Sequence, residues 1–135
     1  MPTAGFEEIR HTADWALRAW APDLPTLFAQ AARGMYYLEG VEAAPAPQVE
    51  REITLSGDDT EGLLVAFLNE LLYLQDTERL AFEVLHCDIH DHELDVKVLG
   101  KPIRHLNKAI KAVTFHNLAI RPTSRGLETV LTFDV

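Results

Sequence analysis

The chain has 135 residues, about the size of one ordinary domain and long enough to close a single hydrophobic core. With 47% hydrophobic and 24% charged residues it matches a soluble globular protein, a composition that suggests neither disorder nor a membrane span, and no apolar run approaches the ~20 residues of a membrane-spanning helix. The 21 acidic residues against 12 basic give a net charge of −9, which disfavours unaided binding to a phosphate backbone and suits cations or a basic partner protein, while also serving plain solubility.

Residues 6–10 read as a short strand leading into His11-Thr12-Ala13-Asp14, and residues 15–20 as a second strand of mixed polarity. Leu24, Leu27, Phe28, Ala31, Ala32, Met35 and Tyr36 then recur with helical spacing on one face, with Asp23 placed to cap the first amides, Pro25 suited to the first turn and Gly40 to the stop. Residues 42–48, rich in proline and alanine, read as a connecting loop inside one domain spanning residues 1–135. Residues 49–56 alternate as a strand. Gly57-Asp58-Asp59-Thr60 supplies a turn and cap for a second helix over 61–75, in which Leu64, Phe67, Leu68, Leu71 and Leu72 form a buried stripe widened by Leu63 and Leu74. Residues 80–90 and 93–99 form the best hairpin candidate, with Asp91-His92 at the turn; Leu94, Val96 and Val98 alternate against Glu93, Asp95 and Lys97, so one face is wet. Residues 100–107 read as irregular, and 110–121 and 127–135 as strands joined by a turn over 122–126. Helices this sparse among strands predict an α+β class: a two-layer sandwich, with a largely antiparallel sheet and two helices packed on one face.

The single cysteine, Cys87, lies in the apolar run Leu85-His86-Cys87-Asp88-Ile89 and reads as a buried, inert thiol. That reading agrees with a cytoplasmic protein, as does an N-terminus without the basic-then-apolar order of a secretory signal. His86, His90 and His92 gather on the hairpin, but their spacing is not that of a zinc site and no cysteine pair accompanies them, so they read as solvated or hydrogen-bonded. Glu70 shares a helix face with Leu63, Phe67 and Leu74 and reads as a structural acid. Asp14 follows a strand, where a carboxylate is costly to bury unless it caps an amide, pairs with a cation or binds a metal; on its own it fits an Asx turn or cap. Asp134 sits at the penultimate position of an apolar strand, where a frayed terminus would account for it. With the α-carboxylate of Val135 beside it, converging carboxyl oxygens would repel unless a hard divalent ion such as calcium, magnesium or manganese neutralised them. Lys111 precedes an apolar strand, where a lysine snorkels to water; Lys108 is a weaker candidate three residues earlier. No nucleophile motif or glycine-rich phosphate loop is present.

Read together, His11-Thr12-Ala13-Asp14, the leucine-rich helix with its Asn69-Glu70 pair, Ile110-Lys111-Ala112-Val113-Thr114-Phe115-His116-Asn117-Leu118 and the final Phe133-Asp134-Val135 resemble the archease family, in this order and over most of the chain. Phe115 departs from the family segment, which usually carries tyrosine there. The resemblance implies that Asp14 is a metal ligand, with Asp134 and Val135 completing a site for a divalent metal, calcium ahead of magnesium or manganese. It implies that Lys111 is an activating residue reaching a phosphate or acidic group in a partner, and that His11 and His116 orient the site. It implies no catalysis by the protein alone. An accessory protein of this kind serves an RtcB-type RNA ligase of tRNA splicing and RNA repair, promoting ligase guanylylation and multiple turnover, with no direct nucleic-acid or membrane binding. The alternatives are a small metal-dependent hydrolase or phosphotransferase, and a chaperone-like binding module.

Overall fold

The computed structural model describes residues 3–10, 14–115 and 117–135. In chain order it contains β1 (Gly5–Ile9), β2 (Trp15–Ala21), α1 (Leu24–Glu39), β3 (Glu42–Ala43), β4 (Val49–Ser56), α2 (Thr60–Glu78), β5 (Leu80–His90), β6 (Glu93–His105), β7 (Ala112–Thr114), β8 (Arg121–Thr123) and β9 (Gly126–Asp134). Both helices begin where the sequence supplies a carboxylate. Asp23 accepts from the Thr26 amide and Asp59 from the Gly62 amide, each satisfying a donor that the first turn leaves without an intrahelical partner. α1 ends at Gly40, whose φ of 67° is the left-handed conformation that glycine adopts without a Cβ penalty.

The architecture is the expected α+β arrangement of two helices on largely antiparallel strands, and the strands divide between two sheets. One runs β1-β2-β9-β7, with β8 also on β9; the other is built on β6, which pairs with β3, β4 and β5. α1 packs against β1, β2, β5 and β9, and α2 against β4, β5 and β7, so each helix bridges both sheets. Between the helices Phe28 and Phe67 stack with ring centroids 6.0 Å apart, and the fully buried Leu17, Leu68, Leu94 and Leu131 surround them. Alternation holds on β6, where Leu94, Val96 and Val98 are buried and Glu93, Asp95 and Lys97 are exposed. Among the described residues no helix is long and apolar enough to cross a membrane.

Several boundaries differ from the sequence expectation. The expected loop at 42–48 contains the two-residue strand β3, and the expected irregular stretch at 100–107 is mostly strand, since β6 continues to His105. Gly100 and Pro102 suggest a break by composition, yet each has a packing or pairing reason to be in a strand. A Cβ at Gly100 would lie 2.7 Å from the Phe82 ring, and the Pro102 carbonyl accepts from the Ala44 amide at 2.7 Å. α2 runs past Gln75 to Glu78, whose carboxylate accepts from Arg51 of β4. The single strand expected over 110–121 is instead β7, an irregular passage, and β8; side chains of α2 bond the backbone on both sides of the break, Asn69 at Val113 of the edge strand β7 and Glu61 at Ile120. The turn expected over 122–126 narrows because β8 reaches Thr123. In the β5–β6 hairpin Asp91 and His92 both have positive φ, 49° and 61°, the pattern of a type I′ turn made without glycine.

Candidate functional site

β9 is the strand on which the candidate residues meet. On one edge it pairs with β2 from Ala21↔Leu127 to Trp15↔Phe133, so Asp14 and Asp134 are the next residues on the two chains at the same end of the ladder. On the other edge Ala112 is opposite Asp134, and the Lys111 amide donates to the Asp134 carbonyl at 2.8 Å. A ladder step spans about 5 Å, so residues separated by most of the sequence are brought to one end of one sheet. Alternation sets the directions. Phe133 is buried, which turns the exposed Asp134 to the opposite face, whereas Lys111 lines a cleft of about 560 Å³ on the helix side with Asn69, Tyr73, Asp76 and Arg79. Lysine and aspartate therefore leave the same sheet end from different sides, where a surface seated across that end would touch both.

Asp14 and Asp134 are exposed and Val135 is half-buried, packed against the core. Asp14, Asp134 and Val135 offer only oxygen atoms at this end of the sheet, a donor type that suits a hard divalent cation rather than zinc or copper. Exposure leaves such an ion room to keep water ligands. Asp14 has an interaction partner of its own in the fold. His11, Thr12 and Ala13 of the first motif and His116 of the third lie outside the described residues.

Among the described residues, the set of three ligating side chains that come within 4.8 Å of one another lies elsewhere, on the wet face of the β5–β6 hairpin. Asp88 faces Asp95 across the ladder and His90 Nδ1 stands 3.6 Å from Asp88 Oδ2, all three exposed. His86 and His92 are also exposed, as a solvated reading requires. Cys87 is half-buried, and burial first, then the Asp88 charge, pushes its thiol up to about 11, so it is not a nucleophile at neutral pH. Glu70 is half-buried beside Arg51, Glu52 and Leu74. Phe115, which stands where the family segment usually has tyrosine, is 52% exposed.

Two polar residues that the sequence reading passed over hold the segment around Lys111. Glu39, the last residue of α1, has no exposed surface. Its Oε2 accepts from Gln75 Nε2 at 2.6 Å and from the Ile110 amide at 2.9 Å, while its main-chain oxygen accepts from the Asn107 amide at 2.7 Å. Burial raises the Glu39 carboxyl above its usual range, with the Gln75 and Ile110 hydrogen bonds opposing the rise. Glu39 and Gln75 were signalled by period. Glu39 continues the Met35 and Tyr36 stripe, and Gln75 that of Leu71 and Leu72, at i+3 and i+4, where the next core residue belongs.

The family model of the Archease protein family matches residues 6–135. This chain belongs to the archease family. Its archease relatives include that of Sulfurisphaera tokodaii, 30% identical with 96% of each chain covered, and that of Pyrococcus furiosus, 32% identical over 90% of this chain and 91% of the relative. The solution structure of protein 1598 from Methanobacterium thermoautotrophicum is 30% identical, covers 97% of this chain and 99% of its own, and superposes with a TM-score of 0.71. An archease from Thermotoga maritima, described as a possible chaperone, shares the fold at a TM-score of 0.66 and 23% identity, with 96% of each chain covered.

Proposed function

We propose that this archease-family protein is a cytoplasmic accessory factor that completes the active centre of an RtcB-type RNA ligase, promoting its guanylylation and multiple turnover. The observation that carries the reading is the meeting of Asp14, Asp134 and Lys111 at one end of the β9 ladders. Asp14, Asp134 and a main-chain oxygen of Val135 would hold a divalent cation, calcium ahead of magnesium or manganese, which supplies positive charge where carboxylates would otherwise repel. By the family resemblance, His11 and His116 would orient that site. Lys111 supplies a mobile point charge on a fixed backbone, suited to stabilising negative charge that develops in a partner's site. The net charge of −9 leaves binding to the basic surface of an RNA enzyme favourable and binding to free RNA unfavourable.

The test is Lys111→Met, with Lys108→Met as control, in a multiple-turnover ligation assay with a cognate ligase. Both lysines are exposed, so each substitution costs roughly 0.5 kcal/mol or less in stability. Lys111→Met should abolish stimulation while Lys108→Met keeps most of it. Full stimulation by Lys111→Met refutes the role of the lysine.

A further inference from the structure

The backbone that carries Lys111 is braced from both helices. Upstream, Glu39 of α1 takes the Ile110 amide on its carboxylate and the Asn107 and Lys108 amides, at 2.7 and 3.3 Å, on its main-chain oxygen. Downstream, Asn69 of α2 engages both main-chain groups of Val113: the amide donates to Oδ1 at 2.9 Å and Nδ2 donates to the carbonyl at 3.5 Å. Lys111 itself is tied through its amide to Asp134. Gln75 completes the brace by donating to the Glu39 carboxylate, and this pair is buried with Oε1 of each residue lacking a hydrogen-bond partner among the described residues. Such a pair is an expensive way to fill a core position, since burying polar groups that are not fully satisfied costs free energy that leucine at both sites would avoid. What leucine cannot do is hold a main-chain amide of a non-helical segment in one place.

We propose that Glu39, Gln75 and Asn69 are positioning residues that fix the backbone of residues 107–113, and so set the point from which Lys111 reaches into the partner's site. The inference rests on the reading of Lys111 given above. A shift of about 1 Å in a positioned group can cost about a hundredfold in rate, so loosening this segment acts on function before it acts on the fold.

The test pairs Glu39→Leu with Gln75→Leu, removing both polar partners together so that the core stays filled and the Ile110 amide loses its acceptor. Amide exchange at Ile110 should rise about tenfold or more while Leu17, Leu68 and Leu131 keep native protection, and ligase stimulation should fall about tenfold or more. Glu39→Gln keeps an acceptor for the Ile110 amide and should restore stimulation. Asn69→Ala should give the same pattern from the downstream side, and it stands as the test where the double variant does not fold. Native exchange at Ile110, or full stimulation despite fast exchange, would each overturn the proposal. Full stimulation by Lys111→Met alone, with fast exchange in the Glu39 and Gln75 variant, would sink the role of the lysine and leave the brace standing.

Discussion

Gly34 lies inside α1, buried against β2, and its replacement by alanine sets two effects against each other. Helix propensity favours alanine by about 0.5–1 kcal/mol. Packing opposes it, because a Cβ at this position would lie 2.3 Å from Leu17 Cδ2 and 2.9 Å from Cδ1, where carbon atoms prefer about 3.5–4.0 Å. Leu17 has no exposed surface and is held in register opposite Leu131, so it has nowhere to retreat and α1 must lift from β2 by about 1 Å. Overpacking of this kind costs about 1–3 kcal/mol, so after the propensity gain the net loss is about 0.5–2 kcal/mol. For a chain of this length that is a drop in Tm of about 2–8 °C. Urea unfolding followed by circular dichroism should show a lower midpoint with an unchanged slope. Leu17→Ala in the Gly34→Ala background should cost less than Leu17→Ala alone, because it removes the atoms in the clash. An equal or higher Tm for Gly34→Ala would refute the close approach of α1 and β2.

Millimolar calcium should raise the Tm, by about 2.7 kcal/mol of linkage at a hundredfold excess over Kd, and Asp14→Asn or Asp134→Asn should remove that shift without lowering the metal-free Tm; a shift retained in both variants excludes the site. Because burial raises the Glu39 carboxyl, its contribution to stability is fully present below the unfolded value and is lost as pH rises through the folded one. The stability of Glu39→Gln relative to wild type should therefore increase as the pH is raised above the ordinary glutamate range. A difference that stays constant as the pH rises would count against a raised pKa. His92→Gly relieves a left-handed conformation at the hairpin turn and should stabilise by about 0.5 kcal/mol once the extra freedom of glycine in the unfolded chain is subtracted; a lower Tm would contradict the turn geometry.

What was legible in the sequence was local. The cap at Asp23, a turn and cap within residues 57–60, the stop at Gly40 and the strand at 49–56 each depend on neighbours within a few residues, and all were found where expected. Gly100 and Pro102 misled because their strand role depends on Phe82 and Ala44, distant in sequence. Glu39 and Gln75 were passed over for a related reason. A polar residue on the core period reads as the end of a buried stripe unless its partner is known, and here each is the partner of the other from a different helix. At the candidate site, family resemblance named Asp14, Asp134 and Lys111, but nothing in their spacing puts them side by side. Only the registers on the two edges of β9 do that.

Those registers also govern the order of assembly. β2 near the start of the chain can acquire its inner neighbour only from β9, so closing the pairing of Trp15 with Phe133 means closing a loop that contains both helices and the other sheet. Pairing across so long a loop carries a large entropic toll and is slow compared with hairpins such as β5–β6, which has only Asp91 and His92 to turn. The sheet bearing Asp14 and Asp134 is thus a late product of folding: a chain with formed helices and a formed hairpin can still lack the carboxylate pair altogether. Cation affinity at the proposed site should then be acquired in refolding after the helical signal recovers, marking the insertion of β9.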